Sequence, residues 1–151
     1  MNHTAGLSTP QQVQMALFSI FAMLDTTNDY KKKTIDILHR RMNLLYEGLG
    51  LPKKHLPNDA DYYTEIDLEI WCNHHFEKGF FEYLKENYNP VDILYRLAEK
   101  SSIVLLSGEG FLAPVWSIRV SLANLNDKDY LHIGKELKNV LDEYVVEWKA
   151  K

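Results

Sequence analysis

Arg119 is the residue of this sequence with the clearest chemical potential, because it stands alone in a strand-like segment. In residues 116–122 (WSIRVSL) apolar and polar side chains alternate, as they do along a half-buried strand. The alternation places Arg119 on the polar face between Ser117 and Ser121, whose small side chains leave room around the guanidinium. Such a planar fork suits bidentate binding of a carboxylate or phosphate. The alternation alone still favours an ordinary surface arginine, by roughly three to one.

A glycine-rich turn directly precedes this strand. Residues 108–111 (GEGF) lack the longer glycine pattern and the helix start of a phosphate-binding loop. The turn and Phe111 could form one wall of a ligand pocket facing Arg119, or they could be an ordinary hairpin loop. The pattern leaves these two interpretations about even.

Three other polar groups are weaker candidates. Residues 72–75 (CNHH) lack the second ligand pair of a structural zinc site, which leaves metal binding roughly one chance in twenty. As a nucleophile, Cys72 would need an orienting group that no spacing reveals, so a small core residue is the better interpretation. The alternating Glu65, Asp67 and Glu69 are solvated charge rather than a cation site by roughly ten to one.

Composition and charge narrow the classes of function. The 151 residues are 46% hydrophobic and 25% charged, with a net charge of −4, which is typical of a globular domain and disfavours a nucleic-acid partner. The single cysteine, Cys72, excludes an internal disulfide and favours a reducing, cytoplasmic setting. Residues 1–6 do not resemble a secretory signal, and the apolar stretch 15–24 is too short to cross a membrane.

Periodicity predicts an α+β fold: a short sheet covered by helices and preceded by two helices. The first helix runs to about Leu24, with Thr9 as its cap and Pro10 at its first position. The later elements are predicted as a helix over 29–49, a loop over 51–61, a strand over 62–71, helices around 76–84 and 90–100, strands over 102–106 and 116–123, and a last helix capped by Asn126 with Asp129 at its third position.

The residues around Arg119 resemble a known family. Residues 105–111 (LLSGEGF) and 116–123 (WSIRVSLA) are similar to the C-terminal signature of the fold-type-I aminotransferases, which are pyridoxal-phosphate enzymes. The resemblance implies that Arg119 binds the α-carboxylate of the substrate, with Phe111 beside it. The family often has proline where this chain has Ser107, which makes the turn less rigid without touching the arginine.

Within that family, residues 6–17 and 62–68 look like the aspartate 4-decarboxylases, which have aspartate aminotransferase side activity. The resemblance covers essentially the whole chain and corresponds to the C-terminal part of such an enzyme. It implies pyridoxal phosphate as cofactor, aspartate with alanine or a 2-oxo acid as substrate and product, and a homo-oligomer. It also implies that Ser8 and Thr9 approach the cofactor phosphate of a neighbouring subunit.

The departures from the family suggest a partial enzyme. The family's cofactor lysine lies in an upstream Ser-x-x-Lys segment, and no such segment precedes Ser8. We therefore expect residues 1–28 to be the terminal helix of a missing large domain, and residues 29–151 to be the small C-terminal domain with its connecting helix. We also expect the chain to be inactive alone and to self-associate through its apolar first helix. The alternative is a stand-alone α+β module that binds a small acid or a partner without catalysis.

Overall fold

The computed structural model describes residues 6–52, 55 and 59–151. It divides into two compact units, Met1–Asp36 and Ile37–Lys151. Residues 1–5, which bear on the predicted absence of a signal, lie outside the described residues, and so does part of the predicted loop over 51–61. No helix in the described ranges is long and apolar enough to cross a membrane.

The first unit contains α1 (Thr9–Leu24) and the beginning of α2 (Asp29–Leu49). The predicted cap was wrong by one residue, because Ser8 rather than Thr9 precedes the first helical residue. The Ser8 backbone N–H donates to Gln11 Oε1 at 2.9 Å, which satisfies one of the free donors of the helix start. Pro10 is therefore the second helical residue, where its missing N–H is equally harmless.

The second unit is an α+β domain, as predicted. After α2 its elements are β1 (Tyr63–Asp67), α3 (Leu68–His75), α4 (Phe80–Asn87), α5 (Pro90–Ser101), β2 (Leu106–Ser107), a short 3₁₀ helix (Glu109–Phe111), β3 (Ser117–Ser121) and α6 (Asp127–Lys149). The described strands form a three-stranded sheet in the order β1-β3-β2, and both pairings are antiparallel. The strand that carries Arg119 is thus the central strand.

The first strand is shorter than predicted. It ends at Asp67, whose Oδ1 accepts the backbone N–H of Ile70 at 2.9 Å and so caps α3. Residues 68–71 are therefore helical, and Glu69 does not continue the row of carboxylates begun by Glu65. The alternation of apolar and polar residues continues by chance into residues 68–71, although these residues belong to the helix that Asp67 caps.

The element boundaries on either side of α5 also differ from the prediction. The helix expected around 76–84 begins only at Phe80, because α3 extends to His75. The strand expected over 102–106 begins at Leu106, since Ser102 takes a left-handed conformation at the end of α5 (φ 59°). Helix α5 itself begins at Pro90, as predicted.

The core contains the apolar faces of α2 and α6, as the helical spacing of their apolar residues predicts. The predicted cap of α6 is confirmed, because the Asn126 backbone N–H donates to Asp129 Oδ2 at 3.1 Å. The buried residues of these two helices are Leu38, Met42, Leu45, Gly48, Leu49, Tyr130, Ile133, Gly134, Leu137, Val140, Leu141 and Tyr144. This core supports one side of the sheet through Ile66, Ile118 and Val120, all of them buried.

Candidate functional site

Arg119 lies at the middle of β3 and is held by a strand on each side. In the ladder it stands opposite Glu65 of β1 and Leu106 of β2. Its neighbours Ile118 and Val120 are buried, whereas Arg119 itself is half-buried. The predicted alternation is therefore confirmed from Ile118 to Leu122 but not at Ser117, which is buried. The backbone that carries the arginine is fixed by pairing on both edges.

Two aromatic rings hold the Arg119 guanidinium. Its Cζ lies 3.9 Å from the centroid of the Phe111 ring and 4.2 Å from that of Tyr63. Both distances fall within the range of a cation–π interaction, a favourable arrangement for arginine. Among the described residues, no hydrogen bond or ion pair occupies the N–H donors of Arg119.

A shallow groove of about 210 Å³ opens beside the guanidinium. It is lined by Tyr63, Thr64, Glu65, Phe111 and Arg119. Arg119 gives the groove a positive charge, Phe111 and Tyr63 give it aromatic surface, and Glu65 adds a negative charge. A larger open cleft of about 550 Å³ involves β1 and α3, but none of its described lining residues is a lysine or arginine, which makes it the poorer place for an anion.

The glycine turn is both a hairpin connection and a wall of this groove. The strands on its two sides pair with each other, and the 3₁₀ helix between them brings the Phe111 ring over Arg119. Gly108 permits the tight turn, since a Cβ there would lie 2.0 Å from Ser117 Oγ. The two interpretations left open by the sequence are thus compatible.

Ser117 does not leave the open space expected of it. Its side chain is buried, and its hydroxyl donates to the Pro114 carbonyl at 2.6 Å. The room beside the guanidinium therefore comes from the groove at Tyr63 and Glu65. Strand alternation could not reveal Tyr63, because its proximity depends on the register between β1 and β3, where Tyr63 pairs with Ser121.

Ser8 and Thr9 lie in the first unit, whereas Arg119 lies in the second. Both residues are exposed at the beginning of α1. The Ser8 hydroxyl donates to Gln11 Oε1 at 3.0 Å. Their predicted contact with a cofactor phosphate remains a prediction.

Cys72 is a core residue. Its side chain is buried, and burial, with a smaller contribution from Asp67, raises the pKa of the thiol to about 12. At neutral pH the thiolate needed for nucleophilic attack is therefore scarce. Cys72, His74 and His75 all lie within α3.

A group of possible metal ligands occurs elsewhere, at His39, His55 and Asp61. These residues are separated by 16 and 6 positions, and no known ligand spacing marks them in the sequence. Only the folded chain brings them together.

Comparison with known proteins identifies a curated relative of this chain. No known family profile matches the chain. The chain is 43% identical over 150 residues, or 99% of its length, to a bifunctional aspartate aminotransferase and L-aspartate beta-decarboxylase from a Pseudomonas species. This similarity confirms the resemblance seen in the sequence motifs. The chain spans 28% of the length of that relative.

Proposed function

We propose that this chain is the C-terminal part of a pyridoxal-phosphate-dependent aspartate 4-decarboxylase/aminotransferase, and that it supplies the arginine for the substrate α-carboxylate. The similarity to the Pseudomonas enzyme supports the parent activity, and its coverage of 28% of that enzyme is consistent with a fragment. The observation that carries the proposal within this chain is the guanidinium of Arg119, whose donors are free among the described residues.

The arrangement around Arg119 suits a carboxylate ligand. The rings of Phe111 and Tyr63 both lie against the guanidinium and leave its N–H donors available to a ligand. A carboxylate can form two parallel charge-assisted hydrogen bonds with these donors. Because β3 is paired on both edges, the arginine is held in place before the ligand arrives, which lowers the entropic cost of binding. The α-carboxylate would thereby be fixed relative to the reacting carbon atoms.

The cofactor would meet other residues of the complete enzyme. Pyridoxal phosphate supplies the electron sink that both transamination and decarboxylation of an amino acid require. Within this chain, the hydroxyls of Ser8 and Thr9 stand at the N-terminus of α1, where a helix favours an anion such as a phosphate. No lysine lines the groove described beside Arg119. We therefore assign the lysine that binds the cofactor to a part of the enzyme outside this chain, and we expect the chain alone to be inactive.

The proposal is tested in a chimera that carries this chain in place of the matching segment of the Pseudomonas enzyme. In the chimera, Arg119→Lys should lower kcat/KM for aspartate by about 10- to 100-fold, because lysine cannot make the two parallel hydrogen bonds. Steady-state kinetics with aspartate measure the change. The absorbance of bound cofactor should be the same in both proteins, since the arginine is assigned to the substrate.

The matched control is Arg40→Lys, because Arg40 is an exposed arginine that pairs with Asp127 on the surface. This control should retain the activity of the chimera. If Arg119→Lys turned over aspartate as well as the unsubstituted chimera, Arg119 would not be the carboxylate ligand.

A stand-alone binding module is the second candidate, and the charge pair in the groove favours it. Arg119 and Glu65 line the same groove, so the two charges of a free amino acid could both be met within this chain. Calorimetry of the isolated chain with aspartate separates the candidates. Saturable binding without cofactor, lost in Arg119→Lys, would support the module. If the chain is instead a fragment and the rest of the binding site belongs to another part of the enzyme, calorimetry should show no measurable binding of aspartate.

A further inference from the structure

Two histidines converge on one buried carboxylate in the second unit. His39 Nε2 lies 3.0 Å from Asp61 Oδ2, and His55 Nδ1 lies 2.8 Å from the same oxygen. The side chain of Asp61 is 3% exposed, whereas those of His39 and His55 are 36% and 25% exposed. The carboxylate thus lies at the base of the cluster, and the imidazoles lie between it and solvent.

The spacing of these donors is close to that of a tetrahedral metal centre. The ligand atoms of the three residues all lie within 4.8 Å of one another. Around Zn²⁺, with ligand bonds of about 2.0 Å, neighbouring donors are about 3.3 Å apart. The two N···O distances are a few tenths of an ångström shorter, so a small outward shift of the imidazoles would admit the ion. Two histidines and one carboxylate leave the fourth position open for water.

Asn43 supports His55 from the far side of its ring. His55 Nε2 lies 2.9 Å from Asn43 Oδ1, an oxygen that can accept a ring N–H. The other ring nitrogen of His55, Nδ1, is the one that faces Asp61 Oδ2. A ligand histidine that donates its other N–H to an oxygen is also the usual support of a metal centre.

The two imidazoles lie close together and face the same oxygen. The ring centroids of His39 and His55 are 4.1 Å apart, with an interplanar angle of 33°. Because one nitrogen of each ring faces Asp61 Oδ2, a single divalent ion can contact both rings and the carboxylate.

We propose that His39, His55 and Asp61 form a binding site for a divalent transition metal of the zinc class, with Asn43 orienting His55. The ligands come from α2, from the connection after it and from the residues before β1. A bound ion would therefore join the end of this connection to α2. This site contains neither Arg119 nor the groove beside it, so its test is independent of the proposed enzymatic function.

The experiment uses the full chain, freed of metal with a chelator, and titrates it with Zn²⁺ in a calorimeter and with Co²⁺ by visible absorption. We expect one ion per chain and the intense absorption of tetrahedral Co²⁺. His39→Gln and His55→Gln should each weaken Zn²⁺ binding by at least tenfold.

The matched control is His132→Gln, since His132 is an exposed histidine on α6, and its affinity should equal that of the unsubstituted chain. Asn43→Ala should weaken binding by about 10- to 100-fold while keeping all three ligands. This variant tests the site even if a ligand substitution unfolds the chain. The proposal would be overturned by a chain that binds no Zn²⁺, or by binding that persists unchanged in His39→Gln and His55→Gln.

Discussion

Arg96 and Arg119 both pack closely on aromatic rings, but they differ in the partners of their N–H donors. Arg96 Cζ lies 3.7 Å from the centroid of the Tyr144 ring, much as Arg119 lies over Phe111. The donors of Arg96, however, are used by Glu147, whose Oε1 lies 2.7 Å from Nη1. Arg96 therefore stabilises the packing of α5 on α6, whereas no described residue pairs with the donors of Arg119, which is what its proposed binding role requires.

The pairing of Glu147 makes part of the stability depend on pH. The hydrogen bond from Arg96, followed by that from Tyr88, holds the pKa of Glu147 below its ordinary value. This stabilisation is complete above the ordinary carboxyl pKa of about 4.3 and is lost as the pH falls through the lowered value.

We expect Glu147→Gln to lower the free energy of unfolding at pH 7 by at most about 1 kcal/mol, because the pair is partly exposed to solvent. Urea unfolding at pH 7 and at pH 3 measures the difference, which should shrink at the lower pH. Glu82→Gln is the control, since Glu82 forms only an exposed pair with Lys85 within one helix. An equal loss at both pH values would show that the charge of Glu147 contributes nothing.

At the scale of elements, two glycines allow a close approach between α2 and α6. A Cβ added at Gly48 would lie 2.5 Å from the Leu131 carbonyl oxygen, and one at Gly134 would lie 2.3 Å from that of Leu45. Both obstacles are backbone atoms of the opposite helix, so neither can rotate away. The distance between the helices, and with it the packing of the core, depends on these two positions.

Alanine at either glycine should therefore destabilise the fold. In a free helix Gly→Ala is favourable by up to about 1 kcal/mol. A loss of stability at these positions would therefore come from packing and not from helix propensity. We expect Gly48→Ala and Gly134→Ala each to lower the free energy of unfolding by about 1–3 kcal/mol, as overpacking does. Urea denaturation measures this change in the free energy of unfolding. Gly110→Ala is the control, because nothing lies within 4 Å of the added Cβ. A gain in stability at Gly48 would mean that the helices do not pack this closely.

At the scale of the whole molecule, the apolar surface of α1 needs a partner. None of its residues, all of which are described, is buried. Phe18 and Phe21 contact Tyr30 within the first unit, yet about half of each phenylalanine remains exposed. The exposed large apolar side chains of α1 are Val13, Met15, Leu17, Phe18, Ile20, Phe21, Met23 and Leu24. A patch of this kind marks an interaction surface, which the remainder of the proposed enzyme would cover.

The isolated chain should therefore associate with itself through α1. Light scattering coupled to size exclusion should give a mass above that of the 17.6 kDa monomer, rising with concentration. Leu17→Asp should lower that mass, because it places a charge in the apolar surface. Val146→Asp is the control, since Val146 is equally exposed but lies on α6. A monomer at all concentrations would exclude this surface as a site of self-association.

Features that depend on local periodicity follow from the amino-acid sequence alone. The apolar stripes of α2 and α6, the cap at Asn126 and the alternating faces around Arg119 could all be predicted from side-chain spacing. The sequence pattern misplaced the boundary between β1 and α3, because residues 68–71 fit a strand as well as a helix. The hydrogen bond to the Asp67 side chain begins the helix there. The motifs around Arg119 also carried the resemblance to an enzyme family, and the similarity to the Pseudomonas relative confirms that resemblance.

Which distant residues meet, by contrast, depends on how the whole chain folds. Tyr63 reaches Arg119 because of the register between β1 and β3, and the aromatic cover of the guanidinium follows from it. His39 lies in α2, and His55 and Asp61 lie between α2 and β1, yet the fold brings their ligand atoms within 4.8 Å of one another. Spacing along a chain reports neighbours within one helix or strand, whereas these contacts join separate segments whose approach is set by packing of the whole core.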